Sequence, residues 1–369
     1  MNILLLTASL GLGGAEKQLL VWAEMLQADL GATVSVVCFD ETRLERLETL
    51  EHLGVPVAVA GRDVSTVKRL QTVISFARAQ RADVVHAFNY YLATSAMAAA
   101  AATRSVAAAS FQGDGLTDME GLDVARRLPP LKLVKYFTSN SFEAMERVKP
   151  RLRSGAVLQY VPNLVDPPDG GRFEVVRAER RRQGMVALAV ARLDDNKRID
   201  VFLAALAAAR KTDPGITGVV VGDGPSRAEL ERQAIDLGLV PGGVEFTGKL
   251  PHVWDRYAEA DIFVHLALSE GTPNVVLEAM ATGLPVVATP AGDVGRIVRS
   301  NENGFVVPFD NAPAVTRRLL ELSRSVELRS QLGARGRLDV QGSFGVRQVR
   351  DSLERFYAAV CGAARGPGR

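Results

Sequence analysis

The segment "HLALSEGTPNVVLEAMATGLPVVAT" sets two glutamates, Glu270 and Glu278, around the start of a helix. Thr272 reads as a cap with Pro273 at the first helical position, and Gly283 followed by Pro285 stops the helix after roughly three turns. The amides of Gly271, Thr272, Asn274 and Val275 then offer donors at the positive end of a helix dipole, a place suited to a diphosphate. A carboxylate beside bound phosphate is costly unless it grips something else, and sugar and ribose hydroxyls are natural partners for acceptor-only oxygens. A glycosidase pair fits poorly, because eight helical residues cover about 12 Å and that chemistry needs roughly 5 to 9.5 Å between carboxylates. A solvated helix-face role for Glu278 also fits poorly, since Val276, Leu277, Ala279 and Met280 around it read as buried.

Cations stand in a second loop, "VARLDDNKRIDVFLAAL", where Arg192 ends a strand and Lys197 follows. Two cations opposite a helix N-terminus clamp a pyrophosphate and stabilise the charge that builds on it as a leaving group. Arg198 is adjacent and stands as an alternative to Lys197; a plain exposed loop charge is a common reading for Lys and a less common one for Arg at a strand end. A third loop, "SLGLGGAEKQ", has glycines at 11, 13 and 14 that let amides approach a phosphate or sugar, or simply make a tight turn. The third glycine of a dinucleotide fingerprint is replaced by Glu16, so a nicotinamide site is not supported.

These loops need a scaffold, and the chain around them alternates strand-length apolar runs with helix-period segments, the pattern of parallel sheets covered on both faces. The first half has strands at "NILLLTA", "ATVSVVCF", "VPVAVA", "DVVHAF" and "VAAASF", with "AEKQLLVWAEMLQADLG" as the first crossover helix, closed by Gly31. The series restarts at "VALAVARL" and runs through "ITGVVVGDGP", "VEFTGKL", "ADIFVHLAL", "LPVVATP" and "NGFVVPF". The class is α/β, with two doubly wound domains. "YVPNLVDPPDGGRFEVVRAERRRQG", rich in Pro, Gly and charge, reads as the linker, with the boundary near Asn163 to Asp169. The expected division is 1–165, 166–345, a last helix over 346–363 from "GVRQVRDSLERFYAAV", and a disordered tail over 364–369.

Composition removes several classes. Lys and Arg total 44 against 42 Asp and Glu, so the footprint of a nucleic-acid binder is missing. Cys38 and Cys361 have neither disulfide nor zinc spacing. The opening segment lacks the basic start of a signal peptide, and "YLATSAMAAAAATRSVAAAS" is too weakly apolar to span a membrane, so a cytoplasmic protein is expected.

In order and spacing, "GGAE" at Gly13 to Glu16, "VARLDDNKRID", "VVVGDGP", "VEFTGKL", "SEGTPNVVLEAMATGLPVVAT" and "NGFVVPFD" resemble the retaining GT-B glycosyltransferases of the glycosyl transferases group 1 (family 4) clan. The resemblance covers nearly the whole chain. It implies two Rossmann-like domains facing a cleft, the second holding a nucleotide-sugar donor and the first a saccharide or lipid-linked acceptor, with the last helix returning to the first domain. Carried over to matching positions, Arg192 and Lys197 contact the donor diphosphate, Glu278 the ribose and Glu270 the transferred sugar. Backbone at Lys249 and Leu250 meets the base, while Gly13, Gly14 and the Gly271 to Val275 turn, Pro273 included, border the donor. Transfer with retention, no metal and no bound cofactor are implied.

The sequence departs from the family at the stretch matching "AAASFQGDGL", where Gln112 and Asp114 replace a frequent histidine, and within "AGDVGRIV", where Gly295 or Arg296 replaces a frequent glutamate. His86, Gln112 and Asp114 are the acceptor-side candidates, with a structural role equally open for His86. Residues 126 to 153 mix basic and apolar side chains, either a solvated face or a contact with the anionic inner leaflet of the plasma membrane. Rival readings are a nucleotide-sugar 2-epimerase on the same fold and a non-catalytic two-lobed sugar-binding protein.

Overall fold

The computed structural model describes residues 1–115, 119, 124–168, 172–180 and 184–364, with only the backbone at 124–127, 180 and 363–364. The chain divides into two compact units. Unit 1 comprises Met1–Leu164 and Val346–Arg369, and unit 2 comprises Val165–Gly345. Residues 365–369 of the expected tail lie outside the described residues.

Unit 1 holds β1 (Asn2–Thr7), β2 (Thr33–Cys38), β3 (Val57–Val59), β4 (Val84–Ala87), β5 (Val106–Phe111), β6 (Tyr136–Ser139) and β7 (Val157–Tyr160) in one sheet of order β3-β2-β1-β4-β5-β6-β7. All its pairings are parallel. Along β1, Ile3 and Leu5 enter one core while Leu4 and Leu6 enter another, so an unbroken apolar run is what a strand buried on both faces requires. Two strands, β6 and β7, were not among those read from the sequence. Thr138, Ser139 and Gln159 interrupt their apolar character, and the polarity is absorbed locally, as where Ser110 Oγ and Thr138 Oγ1 pair at 2.6 Å inside the unit.

The helix Val346–Ala364 completes this unit. Val349, Leu353, Phe356, Tyr357 and Val360 recur at helical spacing and bury against Trp22, Val34 and the β1 face. At the other end of the unit, Leu164 is held by Gln18, whose side chain accepts from its amide at 2.8 Å and donates to its carbonyl at 3.0 Å.

Unit 2 holds β8 (Met185–Val190), β9 (Ile216–Val221), β10 (Val244–Gly248), β11 (Ile262–His265), β12 (Val286–Ala288) and β13 (Gly304–Val306) in the order β10-β9-β8-β11-β12-β13, all parallel. Ala187 and Ala189 face one core, Leu188 and Val190 the other. Its two chain ends meet, the Val165 amide donating to the Phe344 carbonyl at 3.1 Å. In each sheet the strand order reverses beside the first strand, at β1/β4 and β8/β11. The crevice at the carboxyl ends of such a strand pair is where open α/β sheets take ligands.

Candidate functional site

In unit 2 the switch point gathers the predicted chemistry. The loop leaving β8 carries Arg192 to Lys197, and the loop leaving β11 carries Glu270. Asn196 ties the two loops together: its Nδ2 donates to the Ser269 carbonyl at 3.0 Å, its Oδ1 accepts from the Ser269 amide at 3.0 Å, and its carbonyl accepts from the Leu268 amide at 2.9 Å. Lys197 Nζ reaches Glu270 Oε1 at 2.5 Å, and His265 Nε2, on the last residue of β11, lies 3.1 Å from the same oxygen. Burial pushes the Glu270 carboxyl up, but contact with His265 and its charge, then the charge and hydrogen bond of Lys197, carry it down to about 2. Glu270 is therefore an ionised acceptor at any working pH.

The helix after this loop begins one residue later than the sequence indicated and is shorter. It spans Asn274–Ala281, about two turns, with Pro273 as its N-cap in an extended conformation. Thr272 does not cap it, because its hydroxyl donates to Asp293 Oδ2 at 2.7 Å instead. The Asp293 amide in turn donates to the Gly271 carbonyl at 3.0 Å. Between them sits Gly292 at φ +56, where an added Cβ would lie 2.3 Å from the Glu270 carbonyl oxygen and 2.4 Å from that of Gly271. Only glycine allows this approach, and the loop bearing Glu270 rests on it. Gly283, at φ +80, follows the helix as the sequence required.

Glu278 is 5% exposed, which rules out the solvated-face reading. Tyr257 OH donates to its Oε2 at 3.0 Å, and burial followed by the Glu278 charge holds the Tyr257 phenol well above its usual range.

The cations part company. Lys197 lies against Glu270, while the Arg192 side chain is 72% exposed with its Nε 3.5 Å from Asp194 Oδ2. Arg198 does not substitute for Lys197: it occupies the left-handed region at φ +49 before the helix Ile199–Arg210 and pairs with Asp200 and Asp310. Lys249 is exposed and Leu250 half-buried in the loop after β10.

The remaining candidates belong to unit 1. Gly13 is the N-cap of the helix Gly14–Ala28, with Glu16 and Ser9 bonded beside it. His86 is fully buried, with Nδ1 2.9 Å from Tyr357 OH and Nε2 2.8 Å from Ser110 Oγ. Burial takes its pKa down to about 3, so it is a neutral core residue whose ring nitrogens are both occupied, and it leaves the acceptor-side set. Asp114 is 6% exposed and meets Arg147 Nη1 at 3.3 Å, while Gln112, at the end of β5, keeps a buried Oε1 that takes no hydrogen bond. Within 126–153, Leu128 and Leu133 stay 43% and 61% exposed beside Lys132, and the side chains of Arg126 and Arg127 lie outside the described residues.

His265, Asn196 and Tyr257 were not read from the sequence. His265 had a usable signal, a polar residue ending an apolar strand just before the ligand loop; Tyr257 had none. Among the described residues no group of three or more His, Cys, Asp and Glu side chains is placed to hold a metal ion, and no helix is long and apolar enough to cross a membrane.

Residues 184–325 match the family model for glycosyl transferases group 1, and residues 13–139 that for the glycosyl transferase 4-like domain. The chain is 32% identical over 146 residues to the lipopolysaccharide core biosynthesis glycosyltransferase LpsE of Rhizobium meliloti, covering 40% of this chain and 43% of the relative. It is 31% identical over 199 residues to the GDP-mannose-dependent alpha-(1-6)-phosphatidylinositol monomannoside mannosyltransferase of Mycobacterium tuberculosis, covering 49% and 51%. The chain thus spans about half the length of these curated relatives. Its fold is similar to Anabaena Alr3699/HepE in complex with UDP-glucose (TM-score 0.84, 19% identity, 97% of this chain and 100% of that one). It is also similar to sucrose-phosphate synthase from Thermosynechococcus elongatus (TM-score 0.80, 20% identity, 98% and 100%). With both family models matched in order and two parallel-sheet α/β units of this type, the chain belongs to the glycosyl transferases group 1 family and has the GT-B fold.

Proposed function

We propose that the protein is a retaining, metal-independent glycosyltransferase that moves a sugar from a nucleoside-diphosphate sugar to a saccharide or lipid-linked acceptor in cell-surface glycan synthesis. The observation that carries this reading is the cluster of Glu270, Lys197 and His265 at the β8/β11 switch point, beside the amides that open the helix Asn274–Ala281.

Unit 2 takes the donor. Arg192 and Lys197, with the first amides of that helix, receive the diphosphate and stabilise the charge it gains on leaving. Glu270 accepts from a hydroxyl of the transferred sugar, and Glu278, oriented by Tyr257, accepts from the ribose. Backbone at Lys249 and Leu250 meets the base. The acceptor attacks the face the leaving group departs from, within an ion-pair-like transition state. Unit 1 takes the acceptor through Gln112 and Asp114, and the amides at Gly13 and Gly14 of its own loop are suited to a phosphate or sugar. Exposed Leu128 and Leu133 beside basic side chains support peripheral contact with an anionic leaflet from the cytoplasmic side. The two relatives named above are called lipopolysaccharide and phosphatidylinositol-mannoside enzymes, which supports a surface-glycan acceptor.

The test is a thermal-shift panel of UDP-, GDP-, ADP- and dTDP-sugars beside NADH and NADPH, since a ligand at 100 times its dissociation constant adds about 2.7 kcal/mol of stability. The expected result is a shift for one nucleotide-sugar series that Arg192→Ala abolishes. A shift with nicotinamide cofactors alone overturns the reading, and an isomerised nucleotide sugar formed without acceptor favours the epimerase.

A further inference from the structure

Both contacts on Glu270 fall on one oxygen. Lys197 Nζ and His265 Nε2 approach Oε1 at 2.5 and 3.1 Å, and among the described residues Oε2 has no partner. The two holders differ in kind. Lys197 sits on a loop at the end of a long flexible stem, is 20% exposed, and is one of the two cations assigned above to the diphosphate. His265 is 4% exposed and pinned by its backbone, since β11 pairs with β12 in register at His265 and Ala288. Its ring lies parallel to that of Phe263, centroids 6.4 Å apart and planes 12° apart. The His265 contact is within ion-pair range but off the line of a well-directed hydrogen bond.

A flexible cation already committed to Glu270 must turn, wholly or in part, when a diphosphate arrives. What then keeps the carboxylate aimed is the neighbour that does not move. We propose that His265 is the positioning residue of this site, fixing Glu270 through Oε1 so that Oε2 is presented to a hydroxyl of the transferred sugar while Lys197 engages the diphosphate. The proposal rests on the donor-site reading above. It separates two jobs that the sequence motif merges: gripping the nucleotide, done by cations and helix amides, and gripping the sugar, done by a carboxylate whose direction His265 sets.

His265→Phe keeps a planar ring over Phe263 and removes the nitrogen, and His265→Gln restores a polar N–H at similar reach. The probes are bare UDP and GDP and the nucleotide sugar that stabilises the wild type in the panel above. His265→Phe is expected to keep bare-nucleotide affinity within about threefold of wild type and to lose 10- to 100-fold in kcat, the scale of a misdirected reacting group. His265→Gln is expected to recover at least about tenfold of that loss. Wild-type turnover in His265→Phe overturns the proposal, as does an equal loss of bare-nucleotide and nucleotide-sugar affinity, or a Gln variant no better than Phe. If wild-type protein binds no nucleotide or nucleotide sugar, the donor-site reading itself fails and takes the proposal with it.

Discussion

Each unit places a histidine on the strand next to its first strand, just across the point where strand order reverses. His86 lies on β4 and His265 on β11. Chemically they are opposites. His86 is the third of four residues in its strand, on the face that Tyr357 and Trp22 cover, and it is neutral with both nitrogens occupied. His265 ends its strand, and the loop that follows returns Glu270 to it. Both side chains are buried, but the last position of a strand lies beside the loop that leaves it, and in a parallel sheet those carboxyl-end loops carry the ligand crevice. The same topology therefore assigns structure in one unit and chemistry in the other.

Acid should separate the units first and by the largest amount. His86 binds a proton near 6.5 when unfolded and only near 3 when folded, so its contribution is complete above pH 6.5 and is lost as pH falls toward 3, on the order of 5 kcal/mol in all. Glu270 behaves as a depressed carboxylate, its contribution present above about 4.5 and lost toward about 2. Hydrogen exchange at β4 should accelerate two pH units above that at β11, and His86→Phe should flatten the unit 1 slope; equal onsets would erase the contrast.

Next in size, Glu270→Gln should cut turnover by 10²- to 10³-fold, about 3 to 4 kcal/mol in the barrier, with the stability of unit 1 unchanged in denaturant titration. Gly292→Ala should cost about 2 kcal/mol and weaken nucleotide binding by calorimetry, since its Cβ meets two carbonyl oxygens of the Glu270 loop. Tyr357→Phe, leaving a His86 nitrogen unpaired, should cost about 1 kcal/mol of unit 1 stability and leave donor affinity untouched. Smallest of all, Arg198→Ala should change nucleotide affinity by less than about threefold, because Arg198 pairs with Asp200 and Asp310 instead of joining the site.

The scaffold was legible where burial dictates sequence. β1, β2, β4 and β5, and in unit 2 β8, β11 and β12, are apolar runs that only a doubly covered sheet accepts. β6 and β7 escaped because Thr138, Ser139 and Gln159 break their apolar pattern, and the partners that make this tolerable, Ser110 for Thr138 and the Ser141 and Tyr160 carbonyls for the other two, follow from the fold and not from hydropathy. At the site, Glu270, Glu278, Arg192 and Lys197 stood out by charge beside glycine and proline. That Lys197 would meet Glu270 and Arg192 would not, and that Thr272 would bond to Asp293 in place of the helix, depends on loops brought together from 20 to 70 residues apart, which local spacing does not encode.

The return of Val346–Ala364 to unit 1 also sets an order of assembly. A ribosome releases all of β8 to β13 before that helix emerges, so unit 2 is a contiguous nascent domain able to finish first. Unit 1, though begun earlier, waits with the Trp22 and Val34 face uncovered and His86 lacking its Tyr357 partner. A released chain truncated after Gly345 should therefore expose a protease-sensitive first half beside a protected second half.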